Sequence, residues 1–310
     1  MKTVKFLSLI MAVTFISFIV TSCDKDKLDK DFDSSSMQQL AQDEINMETS
    51  SNEALDDANE VLSKGGSLKA TDALPCNCVI DSVLVGDTMT YTMTFNGNNC
   101  NNTKLKSGQI KIKRVITAAW SAAGTTVSLQ FINYKVTKLS NQKWVMLNGA
   151  KVWTNLSGGL IKNLGNGTTT SVAHTITGTL QASFSDTTTR TWNIARKKTF
   201  TGIHPNALIL SIEGLGTSGG FNNLATWGTN RHNENFYTQI NQAIVLKQSC
   251  NWDPVSGVKV HQIPADTKTA TATFGYDANN QLITNGNCPE KYKVEWVKGS
   301  FSGSTFLDLH

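Results

Sequence analysis

Ser218 is the residue whose neighbours most suggest a reaction. It occupies the centre of Gly216-Thr217-Ser218-Gly219-Gly220, a G-x-S-x-G spacing, and Asp253 or Asp266 followed by His261 or His310 complete the serine, acid, histidine order of a nucleophilic triad. Gly214, Gly216 and Gly219 also satisfy G-x-G-x-x-G, which lets backbone amides approach a pyrophosphate. Both chemistries need a helix at the glycines, to present the serine on a sharp elbow or to aim a helix N-terminus at phosphate. The next residues, Phe221-Asn222-Asn223-Leu224-Ala225-Thr226-Trp227-Gly228, make a poor helix, so the stretch reads as a wide turn between strands.

Other reactive groups are scattered. His174, His204, His232, His261 and His310 show no pair at metal-ligand spacing. His232 and Glu234 could supply two ligands on one strand face, but the polarity of an exposed loop explains them more simply. Glu213, Glu234, Asp253, Glu290 and Glu295 cannot be paired as the two carboxylates a glycosidase needs. Cys76-Asn77-Cys78 has no further Cys or His at zinc spacing. No catalytic residue, metal or cofactor is assigned, and a non-enzymatic binding or structural module is favoured over catalysis; the alternative is a hydrolase whose cleft joins residues distant in sequence. For binding, Trp227 and Trp252 lie beside Gly, Asn and Pro in expected loops, where an exposed ring could stack on a sugar, and Arg196-Lys197-Lys198 is the one tight basic run.

The elements that would position these groups are strands. From about Leu74 the chain becomes short runs of alternating Thr, Val, Ile, aromatic and polar residues between Gly and Asn clusters. Eleven strands are expected: Thr88–Phe95, Gln109–Ala118, Thr126–Lys138, Lys143–Thr154, Val172–Phe184, Thr189–Thr199, Ala207–Glu213, Tyr237–Lys247, Val258–Gln262, Thr267–Tyr276 and Tyr292–Val297. With no crossover helices, this predicts an all-β fold, a large antiparallel β-sandwich or partly closed barrel, over residues 74–310.

Ahead of it, residues 23–73 read as an acidic tether with short helices. Met37, Leu40, Ala41 and Ile45 form one helical pattern; Ala54, Leu55, Ala58, Val61 and Leu62 form a second. Ser36 with Gln39 and Ser50 with Glu53 fit capping boxes, and Lys64-Gly65-Gly66 supplies a stop. Charge divides at the same place. Residues 24–64 hold twelve acids and four lysines, a net of −8, whereas residues 65–310 carry a net of +10. A basic body draws phosphate-bearing lipids, anionic glycans or nucleic acid, although lysines alternating along strands read most simply as a solvated exterior.

Residues 1–22 read as a signal peptide. Lys2 and Lys5 precede fifteen uncharged residues, Phe6 to Val20, too few for a spanning helix, and these run into Val20-Thr21-Ser22-Cys23. That ending resembles a bacterial lipobox, which implies acylation of Cys23, a membrane partner through the lipid, and an outer-membrane lipoprotein on the cell surface or the periplasmic face. Nucleic acid is not an expected partner outside the cytoplasm. Asp24-Lys25-Asp26 resembles the acidic and lysine signal that comes after the lipidated cysteine of surface-exported Bacteroidota lipoproteins.

Removing Cys23 leaves five cysteines, an odd number, in an oxidising compartment. Asp87–Phe95 and Asp266–Phe274 are identical at six of nine positions, and cysteines bracket each copy. This suggests two similar cystine-stapled units, Cys78–Cys100 and Cys250–Cys288, with Cys76 able to replace Cys78. Together the lipobox, the acidic stretch, the glycine-punctuated body and Cys250 followed by Pro254-Val255-Ser256-Gly257 and Cys288 resemble an uncharacterised group of β-rich Bacteroidota lipoproteins. The resemblance implies location and fold and carries no activity. The expected partners of the body are an anionic glycan, lipopolysaccharide or an envelope protein.

Overall fold

A computed structural model describes residues 35–63, 75–284 and 286–309. The signal segment, Cys23, the charged stretch to Asp33, Gly65-Gly66 and His310 lie outside the described residues. Among the described residues, one α-helix, α1 (Ser35–Ser63), precedes fifteen strands: β1 (Cys78–Val85), β2 (Thr88–Asn98), β3 (Lys104–Val115), β4 (Thr125–Lys138), β5 (Trp144–Asn155), β6 (Ser171–Phe184), β7 (Thr189–Ile203), β8 (Ala207–Gly214), β9 (Gly216–Ser218), β10 (Phe221–Thr229), β11 (Asn235–Lys247), β12 (Asp253–Ile263), β13 (Lys268–Tyr276), β14 (Lys291–Lys298) and β15 (Phe301–Asp308). The fold is all-β with a preceding helix, as the alternation predicts, and all eleven expected strands are present.

The strands form one antiparallel sheet in sequence order from β1 to β7, then β10 to β15. One slot is shared. β7 pairs with β8 through residues 196–203 and with β10 through residues 192–194, while β11 pairs with β8 through residues 244–247 and with β10 through residues 235–239. β8 and β10 therefore run end to end in the same direction between β7 and β11, closing a small ring of pairings, and β9 is part of the excursion that joins them. The meander is continuous apart from that detour, which explains how fifteen strands need no crossover.

The sheet curls. Gly149 (φ +124°) on β5 and Gly178 (φ +154°) on β6 lie beside each other's partners, Leu180 and Lys151. A Cβ on Gly178 would fall 2.7 Å from the Cα of Lys151, so only glycine permits the strands to approach this closely where they bend. One apolar core joins α1 to residues from β1 to β12, among them Phe95, Leu129, Leu180, Trp192, Phe236 and Ile263. The sheet has thus wrapped around the helix. A second core, with Phe200, Leu210, Ile212, Leu246, Phe274 and Tyr292, has no helix residue among its described members and packs strand against strand.

The two expected helices are one. Ser50 and Glu53, read as a capping box, stand mid-helix, and Ser51 is fully buried. Serines here would ordinarily compete for the backbone. Lys151 of β5 instead donates to Ser51 Oγ, and Glu53 turns to Lys104 of β3 rather than back to Ser50. Tertiary partners remove the break. Over residues 35–63 the acidic segment packs against the sheet, because Leu40, Met47, Ala54, Ala58 and Val61 are in the core.

Both disulfides staple the open end of a hairpin. Cys250–Cys288 forms as expected, around β12–β13. The other is Cys76–Cys100, around β1–β2, and Cys78 is the buried free thiol. Cys78 begins β1 opposite Phe95 and is buried, while Asn77 at φ +54° turns the chain ahead of the strand and leaves Cys76 beyond it to reach Cys100. The two similar segments occupy equivalent places. Phe95 of β2 lies opposite Cys78 and Phe274 of β13 lies opposite Gly257, each near the stapled end.

Candidate functional site

The inner face of β7 reads Arg190, Trp192, Ile194, Arg196, Lys198, Phe200, since every second residue of a strand points the same way. Cations thus alternate with core residues on one face. Lys104 and Lys106 of β3, Lys151 of β5 and Lys259 and His261 of β12 extend this basic lining, and α1 lies against it with Asp43, Glu44, Glu48, Glu53 and Asp57.

The contacts run the length of the helix. Near its start, Arg231 grips Asp43 with two bonds, Nε to Oδ2 at 2.8 Å and Nη2 to Oδ1 at 2.6 Å, while its Nη1 reaches Asp186 at 2.5 Å. Its guanidinium lies 3.6 Å from the ring centre of Phe184. Glu48 meets Arg196 at 2.5 Å. Toward the helix end, Lys104 pairs with Glu53, and Lys106 sits 2.9 Å from Asp57 and 3.6 Å from Glu53.

Glu44 has the densest surroundings. Thr226 and Thr238 both donate to its Oε1, the latter at 3.0 Å, while Oε2 lies 3.4 Å from His261 Nδ1 and 3.6 Å from Lys259. Thr238 has one proton, so donating it to Glu44 makes His261 Nδ1 the donor across the 3.0 Å Thr238 contact. Burial alone would raise the Glu44 pKa, but Lys259, His261, Arg190 and the Thr226 bond overcome it and hold the carboxyl at about 2. Glu48 is likewise held at about 2, with Arg196, Lys198 and Lys151 outweighing burial. The cations show the opposite strain: burial, with Arg196 and Lys198 nearby, brings Lys151 down to about 7 despite Glu48. Burial and Lys259 bring His261 to about 4.

Arg190 is the exception within this lining. Its side chain has no solvent exposure, it stacks 4.4 Å from the centre of the Phe236 ring, and its closest carboxylate oxygen is that of Asp43 at 4.0 Å. Its Nε, Nη1 and Nη2 make no hydrogen bond, nor does the neighbouring Trp192 Nε1. Leaving such donors unpaired away from water costs about 1–3 kcal/mol per group.

The residues singled out by sequence are not brought together. Arg196 and Lys198 point inward while Lys197 points outward to Glu213 at 3.0 Å, so the basic run is not one patch, and the basic body is not simply a solvated exterior. Trp227, expected in a loop, lies on β10, partly buried, where a Cβ on Gly216 would come within 2.8 Å of its ring. Trp252 packs against the second core. Ser218 ends β9 opposite Phe221 across Gly219 and Gly220, both at positive φ, as a type I′ hairpin turn requires. His261, its possible partner, is committed to Thr238 and Glu44. Among the described residues no group of three or more His, Cys, Asp or Glu could hold a metal, and no helix is long and apolar enough to cross a membrane.

Sequence reading missed the helix acids and Lys104, Lys106, Lys151, Arg190 and Lys259. Alternation within β7 carried the signal, because Arg190 and Arg196 share a face with Trp192 and Ile194. No protein family model matches this chain, and no curated protein or solved structure matches it either.

Proposed function

We propose that this chain is a lipid-anchored protein of the bacterial cell envelope, attached at Cys23, whose β body is a non-enzymatic binding module for an anionic partner. Candidate partners are an anionic glycan, lipopolysaccharide or an acidic envelope protein. The lipobox ending at Cys23 and the preceding uncharged run support the anchor. The observation that carries the binding reading is the inner face of the sheet, where Arg196, Lys104 and Lys106, joined by Arg231 from the loop between β10 and β11, already hold carboxylates of α1. A surface arranged to recognise negative charge and apolar area together supports binding.

Metabolic labelling with a palmitate analogue, beside a Cys23→Ala chain, tests the anchor: label on the parent alone is expected, and a parent chain that takes up no label would overturn it. Protease digestion of intact cells then places the body. Digestion without permeabilisation assigns it to the surface; digestion only after the outer membrane is opened assigns it to the periplasm.

A further inference from the structure

The occupant of the inner face describes what that face can bind. Helix α1 brings two things to it: an apolar stripe of Leu40, Met47, Leu55, Ala58 and Val61, and a row of carboxylates from Asp43 to Asp57. Any molecule taking its place must supply both. A soluble glycan lacks the apolar part, and a free anion lacks it too.

The interface is not a purely apolar core. Asp43, Glu44, Glu48, Ser50 and Ser51 are all buried at it, where hydrophobic residues of similar volume would often hold as well or better. Among described side chains at this interface, Lys104, Lys106, Lys151, Arg190, Arg196, Arg231 and Lys259 face Asp43, Glu44, Glu48, Glu53 and Asp57. The clearest sign is Arg190, fully buried with three unbonded nitrogens beside the unbonded Trp192 Nε1. A planar guanidinium with free donors fits phosphate oxygens through paired bonds.

We infer that the inner face of the sheet is a binding site for a phosphate-bearing amphiphile of the phospholipid class, with α1 as the built-in competitor that covers it. The acyl chains take the track lined by Phe95, Leu129, Leu180 and Phe236, and the phosphate takes Arg190 as the Asp43 carboxylate leaves, with Arg196 further along the same face. This names the ligand class for the binding module proposed above and rests on that reading.

The experiment uses the whole chain with Cys23→Ala, titrated with dihexanoylphosphatidylglycerol below its micelle concentration, with the phosphatidylcholine analogue and with inorganic phosphate. Binding is read by calorimetry and helix release by hydrogen exchange of residues 35–63. Saturable binding of the phosphatidylglycerol, with faster exchange in α1, is expected, and neither comparison compound should match it. Glu44→Gln and Glu48→Gln together should tighten binding about tenfold by weakening the competitor, and Arg190→Gln with Arg196→Gln should weaken it at least as much. Lys111→Gln, on the opposite face of β3, should leave it unchanged. Absence of saturable binding, α1 exchange unaltered by bound lipid, or equal binding of inorganic phosphate would each overturn the inference. The titration of the Cys23→Ala chain and its α1 exchange stand without the other substitutions, so poor folding of the glutamate or arginine variants leaves the test intact. Acylation at Cys23 without lipid binding would remove this inference alone, whereas lipid binding by a chain never acylated would remove the anchor and leave it standing.

Discussion

Placing the Glu48 carboxylate 2.5 Å from Arg196 takes two charges out of water, a cost that good geometry offsets only while both partners remain. Glu48→Gln or Arg196→Gln should each lower unfolding stability by about 3–5 kcal/mol, whereas the double variant should lose less than the sum. Denaturant titration of the four proteins measures this, and strict additivity would show the pair to be uncoupled. Acid should act at the same contacts. Glu44 and Glu48 are held at about 2 against an ordinary 4.5, so their contribution is present above about pH 4.5 and is lost as pH falls toward 2. His261, surrounded by Lys259, Glu44, Arg190 and Thr238, is held at about 4, so the unfolded chain takes up its proton first and stability declines from about pH 6.5 downward. His174, brought to about 4 by burial, acts in the same window, so thermal melts between pH 7 and pH 2 should show a first fall below 6.5 and a second below 4.5. A melting temperature flat to pH 3 would contradict both. Cys78, raised to about 12 chiefly by burial, should stay inert to a thiol reagent in the native protein and react once on unfolding.

At the scale of elements, strands with clean alternation were legible and the others were not. β1 exposes Val79, Val83, Leu84 and Val85 at the sheet edge, so Cys78-Val79-Ile80-Asp81-Ser82-Val83-Leu84-Val85 has no polar face to alternate with. β10 carries paired asparagines and a glycine, and β15 a Gly between serines, compositions that read as turns. The helix was legible as two pieces because Ser50-Ser51 looks like a boundary until Lys151 reaches Ser51 across the interface. A partner one hundred residues away leaves no mark on local sequence. The bends in β5 and β6 depend on backbone that only glycine adopts comfortably. Gly178→Ala should cost more than about 1 kcal/mol, read from the shift in the denaturation midpoint at unchanged slope. No loss would show that the strands can straighten there.

Across the whole molecule, the division of charge between residues 24–64 and the rest was plain in the sequence, but its meaning was not. Opposite charges far apart along a chain fit a tether beside a solvated body as well as two surfaces made for each other. Only curvature separates these, by bringing β3, β5, β7 and β12 around one helix. The candidate site was legible in the same partial way: Arg196 and Lys198 were noted as part of a run, whereas their shared face with Arg190 became clear only with Glu48 and Asp43 opposite. The stapled hairpins at β1–β2 and β12–β13 hold parts of this curled sheet, and removing Cys250–Cys288 by paired serine substitution should cost about 3 kcal/mol. Hydrogen exchange on the ligand-free chain tests the central claim most directly, by tracking the amides of residues 35–63 beside those of β6 and β7. An acidic helix embedded in the basic face should exchange slowly, within the range of those strands, and the Glu44→Gln, Glu48→Gln chain should exchange faster in α1 than elsewhere. Exchange of residues 35–63 within seconds, at the rate of an unstructured peptide, would mean that the helix does not occupy the sheet.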